Sequence, residues 1–87
     1  MSSINIKSQK ELYEKIKPAL RCKKHMLINE GIIIVSEEDI WDYNKNNKWK
    51  DIKGLTLAEV VDDVLNTPGY EYQAYVLNKL INKSDVI

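Results

Sequence analysis

Leu12, Ile16, Leu20 and Leu27 recur at helical spacing, with Ala19 and Met26 beside them. The spacing predicts an amphipathic helix over about residues 8–30. Ser8 followed by Glu11 reads as its start, because a hydroxyl can cap an orphan amide and an acid three residues on can bond back. Pro18 falls inside this segment. An interior proline costs about 3 kcal/mol and usually bends or restarts a helix. The apolar stripe keeps its phase across Pro18, so a bend is expected and a break is not. Gly31 then supplies a left-handed stop.

The run "IIIV" at 32–35 is β-branched but short, and no second strand-like run exists to pair with it. A buried extended connector is the expectation. Ser36, followed by Glu37, Glu38 and Asp39, opens a second helix over about 37–46, with Asp39 a weaker capping-box partner than Glu or Gln. Ile40, Trp41 and Tyr43 lie on or near its inner face, and "NKNNK" ends it, since asparagine tolerates the left-handed conformation. Thr56 and Glu59 open a third helix at about 57–66. Its Leu57, Val60, Val61, Val64 and Leu65 fall at i, i+3, i+4, i+7 and i+8. Val35 with Ile40 and Leu55 with Val60 add hydrophobic staples at the second and third starts. Thr67 and Pro68 suit the entry to a last helix, about 68–82, expected to bury Ala74, Leu77, Leu80 and Ile81. The reading is an all-α fold: a small domain of four helices, the first kinked, packed around the face of the third. Residues 1–87 form one domain, with 1–7 a flexible N-terminal tail.

Charge changes the picture less than its order does. Thirteen basic and thirteen acidic residues cancel, which argues against a bulk polyanion binder, since non-specific nucleic-acid affinity comes from excess positive charge. The charges are nevertheless segregated. Residues 7–25 carry Lys7, Lys10, Lys15, Lys17, Arg21, Lys23 and Lys24 against Glu11 and Glu14, whereas residues 30–42 carry five acids and no base. Either the oppositely charged faces attract each other within the fold, or they meet different partners. One cysteine, Cys22, fits a reducing compartment. The longest apolar run, "GIIIV", is far too short to span a membrane, so a cytoplasmic protein with no membrane insertion is expected.

Catalytic and metal chemistry find no foothold. Cys22 and His25 stand three apart, but zinc needs three or four protein ligands and there is no other cysteine or histidine. A packed thiol and a partly exposed imidazole are expected instead. No glycine-rich phosphate loop and no nucleophile–base–orienter set can be assembled, so neither enzyme activity nor a cofactor is expected. A DNA-reading helix-turn-helix fails because about nine residues separate helices two and three, where 3–4 are usual. Its recognition helix would be "LAEVVDDVLN", with three acids and no base.

Binding chemistry is more promising. "SEEDIWDYNKNNKWK" at 36–50 places acids first and lysines last. The helix dipole explains that order without a ligand. Trp41 reads as structural or as a protein contact. Trp49 lies among Lys45, Lys48, Lys50 and Lys53. It is a hydrophobic lid with lysines solvating its rim, a basic aromatic loop that stacks a base or holds phosphate, or a protein contact. Arg21 and Lys24 would add basic contacts from the first helix. Tyr70, Tyr72 and Tyr75 cannot all face inward; they read as the rim of the small core or as candidates for a protein interface.

Three stretches, "KPALRCKKHMLINEG", "VSEEDIWDYNKNNKWK" and "LTLAEVVDDVLNTPGYEYQAYVLNKL", together resemble the ComN-type post-transcriptional regulators of low-GC Gram-positive bacteria. "SEEDIW" at 36–41, "KWK" at 48–50 and the valine-rich helix before the tyrosines carry the likeness most. The chain departs from it at Ile32 and Ile33, where an aromatic and a polar residue would be expected. The resemblance implies a non-enzymatic regulator of mRNA, with competence transcripts as the named example. It also implies recruitment to the division site or cell pole by a coiled-coil cell-division protein. By position, Trp41, Lys48, Trp49 and Lys50 match its motif. The leading expectation is a post-transcriptional regulator that touches mRNA weakly or acts as an adaptor. The alternative is a purely protein-binding module.

Overall fold

The computed structural model describes residues 9–49 and 54–84. The expected cap at Ser8 and the tail at 1–7 lie outside the described residues. Four α-helices follow in order: α1 (Gln9–Asn29), α2 (Glu37–Asn47), α3 (Leu57–Asn66) and α4 (Gly69–Ser84). The fold is all-α, and the described residues contain no strand.

α1 runs unbroken through Pro18. The described backbone establishes this continuity and not a bend. Its inner stripe is Leu12, Ile16, Leu20 and Leu27, all essentially inaccessible. The helix ends as a Schellman turn. The Gly31 N–H donates to the Ile28 carbonyl at 2.9 Å and the Ile32 N–H to the Leu27 carbonyl at 2.8 Å, with Gly31 at φ 88°. A side chain at that φ would be strained, which is why glycine stands there.

Both predicted capping boxes form. The Asp39 N–H donates to Ser36 Oγ (3.1 Å) while the Ser36 N–H donates to Asp39 Oδ2 (2.9 Å). Glu59 N–H and Thr56 Oγ1 (3.1 Å), with Thr56 N–H and Glu59 Oε1 (2.9 Å), repeat the arrangement at α3. Each cap is worth about 1 kcal/mol. Val35 and Ile40 are both buried, as the staple requires.

Five expectations need correction. The helices do not gather around α3 alone. α1 packs on α3 and α2, whereas α4 packs chiefly on α2. The cause is that α2 has two working faces, Trp41 toward α1 and Tyr43 with Asn44 toward α4. The connector is only partly buried: Val35 is sealed in, but Ile33 is 75% exposed and Ile34 is also exposed. α2 does not end on a left-handed asparagine, since its cap is Lys48 at φ −118°, and the Lys48 and Trp49 amides both donate to the Asn44 carbonyl at 2.8 Å. Cys22 is exposed, because it lies off the side of α1 that holds the leucines. α4 buries Tyr72 and Val76 and leaves Ala74, Leu77, Leu80 and Ile81 exposed. A tyrosine, not an aliphatic residue, sets which side of α4 turns inward.

The reason is a buried polar chain. Asn44 Nδ2 donates to the Ile40 carbonyl and to Tyr72 Oη, both at 2.9 Å, and Tyr72 Oη donates to the Val64 carbonyl at 2.9 Å. In a continuous helix the Val64 carbonyl would receive the amide four residues on. That residue is Pro68, which has no N–H. Tyr72 supplies the missing donor. Neighbouring carbonyls at the end of α3 are met in the same way. Thr67 Oγ1 donates to the Asp63 carbonyl at 2.6 Å, and Lys23 Nζ to the Leu65 carbonyl at 2.9 Å. An ammonium at a helix C-terminus also complements its dipole. Three side chains, from α1, α4 and the turn between α3 and α4, thus close the end of one helix and fix the positions of the others.

Gly69 opens α4 where the chain passes the end of α1. A Cβ built there would lie 2.8 Å from Glu30 Oε1 and Ile32 Cδ1 and 2.9 Å from Leu27 Cδ2. Only glycine fits this close approach without displacing its neighbours.

Candidate functional site

The motif residues on α2 and just after it divide between core and surface. Trp41 lies edge-on to Tyr13, centroids 5.2 Å apart, and 5.7 Å from Trp49. Trp49 is 2% exposed and its Nε1 donates to Asp63 Oδ2 at 2.9 Å. Both indoles are therefore covered by protein and tie α2 to α1 and α3. Lys48 stays at the surface but sends Nζ to Thr67 Oγ1 at 2.8 Å. Lys45 is half-buried. Lys50 and Lys53 lie outside the described residues. Burial lowers the pKa of Lys23, the ammonium at the end of α3.

Among the described residues, the basic first segment and the acids of α2 meet at one solvent-exposed ion pair. Arg21 Nε lies 4.0 Å from Glu37. Lys79 Nζ lies 3.5 Å from Asp39 and 3.8 Å from Asp42, and 5.2 Å from the centre of the Tyr75 ring. The acids of α2 thus draw cations from the helices on both sides. Lys10, Lys17, Lys24 and the paired Arg21 fall at i, i+7, i+14 and i+11, which puts them along one flank of α1. Lys10 and Arg21 are exposed and Lys17 and Lys24 half-buried.

The three tyrosines of α4 part company as their spacing required. Tyr72 is wholly buried, and desolvation raises its pKa. Tyr70 is 69% exposed and Tyr75 half-buried. Tyr70 and Tyr75 join Tyr43, Asn46, Asn47 and Asn78 around an open groove of about 490 Å³ between α2 and α4. Tyr43 forms its floor, with ring centroids 5.2 Å from Tyr72 and 5.5 Å from Tyr75, both edge-on. Tyr43 Oη donates to Glu71 Oε1 at 2.5 Å, and this bond, with burial, pushes the phenol pKa up to about 12. Asn46 Nδ2 donates to Tyr75 Oη at 3.0 Å and Asn47 Nδ2 to the Tyr43 carbonyl at 2.8 Å. Among the described residues, Glu71 is the one charged residue in the lining. Ala74 completes the lining, so the wall combines phenol faces and carboxamides with one carboxylate and one methyl group.

The asparagines and Tyr43 were missed by sequence reasoning. The asparagines of "NKNNK" were legible only as a helix stop. The signal that could have found them is helical spacing between Tyr43 and Asn47, read together with Tyr75 and Asn78 on the facing helix.

A family model described as Post-transcriptional regulator matches residues 9–85. The chain belongs to this family. The match takes in all four helices, the tyrosine-lined groove and the basic flank of α1. No curated protein and no solved structure gives a significant match. The post-transcriptional regulator family is not a known enzyme class. Among the described residues no helix is long and apolar enough to cross a membrane, and no three His, Cys, Asp or Glu side chains group as a metal site would require.

Proposed function

We propose that this post-transcriptional regulator acts on mRNA as an adaptor, holding a protein partner in the groove between α2 and α4. The observation that carries this reading is the groove itself: tyrosine faces and carboxamides, with no lysine or arginine in its described lining. Tyrosine contributes large contact area and a polar tip at low entropic cost, which is why it is enriched at protein interfaces. Lys23, Lys48 and Lys79 support the same reading from the other side, since each is engaged within the fold. The burial of both indoles removes the rings best suited to stack on bases. The coiled-coil division protein implied by the sequence resemblance is the first partner to assay.

A second reading has its own observation. The row Lys10, Lys17, Arg21 and Lys24 spans about 21 Å of one helix flank at 1.5 Å per residue, a length that could follow several phosphates. Direct contact with mRNA would use that row. Affinity would then fall steeply with salt, by a slope set by the number of phosphates neutralised.

Tagged protein purified from its native cells, with and without nuclease, separates the readings. The adaptor reading predicts a protein partner retained after nuclease and lost in Asn78→Arg, which sets a bulky cation in the groove. Partners that vanish with nuclease, and survive Asn78→Arg, would overturn it in favour of the α1 row.

A further inference from the structure

α4 is apolar on two opposite sides. Tyr72 and Val76 face the core. Tyr70, Ala74, Leu77 and Ile81 follow one another at steps of four, three and four residues, the alternation of a coiled-coil seam. They fall on the side turned away from Tyr72 and Val76. Tyr70 is 69% exposed, Leu77 45% and Ile81 57%, and Ala74 is exposed too. A helix hydrophobic on both sides is normally covered on both. α2 covers one of them: Tyr43 meets Tyr72 and Tyr75, and Asp39 and Asp42 meet Lys79.

We propose that the outer seam of α4 is a self-association surface, on which two copies of this chain pack their α4 helices antiparallel about a two-fold axis. The spacing is self-complementary in that arrangement. With the axis midway between residues 75 and 76, Ala74 of each copy faces Leu77 of the other, and Tyr70 faces Ile81. Each large side chain meets a smaller or differently shaped one, and each contact occurs twice, as an isologous interface requires. Ala74 at the centre lets the helices approach within the usual 8–10 Å between axes. A parallel pairing would set Ala74 against Ala74 and leave a gap.

Charge and area agree with this occupant. No like charges are opposed along the flanks, where Glu71 comes beside Asn78 of the other copy. The antiparallel helix dipoles also attract. A fully exposed side chain of this size carries on the order of 150–200 Å², so each copy offers on the order of 300 Å² of apolar surface along the seam. Two copies with their polar rims approach about 1,000 Å² in total, the low end for a specific interface. The dimer is therefore weak and reversible. The seam shares Tyr70 and Ala74 with the groove of the adaptor reading, whereas Leu77 and Ile81 lie outside the groove and distinguish the two surfaces.

Sedimentation velocity on the full chain, from about 10 µM to about 1 mM, reads the prediction directly. The apparent mass should rise toward double across that range. Leu77→Lys and Ile81→Lys should each abolish the rise while leaving the helical circular dichroism unchanged. Orientation is read by disulfide trapping in a Cys22→Ser background. A chain carrying Ala74→Cys should cross-link to one carrying Leu77→Cys, and neither should cross-link efficiently to itself. A wild-type chain that stays monomeric at the highest concentration overturns the proposal and leaves the seam to a different protein. Dimers unaffected by both lysine variants, or disulfides only between like positions, overturn it equally.

Discussion

Tyr72→Phe removes one oxygen from the centre of the molecule and leaves the ring in place. That oxygen accepts from Asn44 Nδ2 and donates to the Val64 carbonyl, at 2.9 Å each. Neither partner has an equivalent substitute. The Val64 carbonyl faces Pro68, which cannot donate, and Asn44 is completely buried, with its Oδ1 already lacking a partner. Leaving a buried carbonyl and an amide hydrogen unpaired costs about 1–3 kcal/mol for each group. Asn44 Nδ2 keeps its bond to the Ile40 carbonyl, so the total should fall at about 2–4 kcal/mol. For a chain of 87 residues the whole folding free energy is on the order of 4–13 kcal/mol. The variant should therefore lose a large fraction of its stability. Urea denaturation followed by tryptophan fluorescence measures it, as a lower midpoint with an unchanged slope. Adding Asn44→Leu to Tyr72→Phe should cost less than the two separate losses combined, because one substitution already breaks their shared bond. A loss below about 0.5 kcal/mol for Tyr72→Phe would refute the reasoning, since it would mean the end of α3 needs no donor from α4.

Gly69→Ala should destabilise by about 1–2 kcal/mol despite the higher helix propensity of alanine, because the new methyl meets Leu27, Ile32 and Glu30; thermal unfolding reads the sign. Ser36→Ala and Thr56→Ala should each cost about 1 kcal/mol in the same assay, and they should add, since the two caps lie on different helices. The Tyr43 phenol, with its pKa raised from 10.0 to about 12 by Glu71 and burial, favours the folded state while protonated. Its contribution is complete below pH 10 and is lost as pH climbs toward 12. Allowing for partial exposure it amounts to about 1 kcal/mol. Tyr43→Phe should remove one late-appearing phenolate from an ultraviolet titration and flatten the alkaline loss of stability.

Helix positions were legible because their signals are local. Ser36 with Asp39 and Thr56 with Glu59 mark two starts within four residues each, and both boxes form. Gly31 marked the end of α1 for the same reason. Which side of α4 faces inward was not legible. Leu77, Leu80 and Ile81 look like core by hydrophobicity, and Tyr72 looks like surface. The deciding fact is a distant one: Pro68 removes a donor, and only a hydroxyl reaching in from α4 can replace it. The roles of the lysines were hidden similarly. Lys23 and Lys48 look like surface cations in the sequence, whereas Lys23 caps the end of α3 and Lys48 bonds the Thr67 hydroxyl beside it. Trp49, flanked by lysines in the sequence, is held inward by Asp63 from a different helix. The groove was only half legible, because its tyrosines stood out on α4 while the asparagines that complete it come from α2.

The adaptor reading is tested most directly by transcript levels and translation in cells whose own copy is replaced by one of two folded variants. In the first, Asn78→Arg obstructs the groove. In the second, Lys10, Lys17 and Arg21 are changed to Glu along the outer flank of α1. Loss of regulation with the first variant and its persistence with the second is the predicted result. Regulation that survives a blocked groove and disappears when the α1 row is reversed would contradict the account.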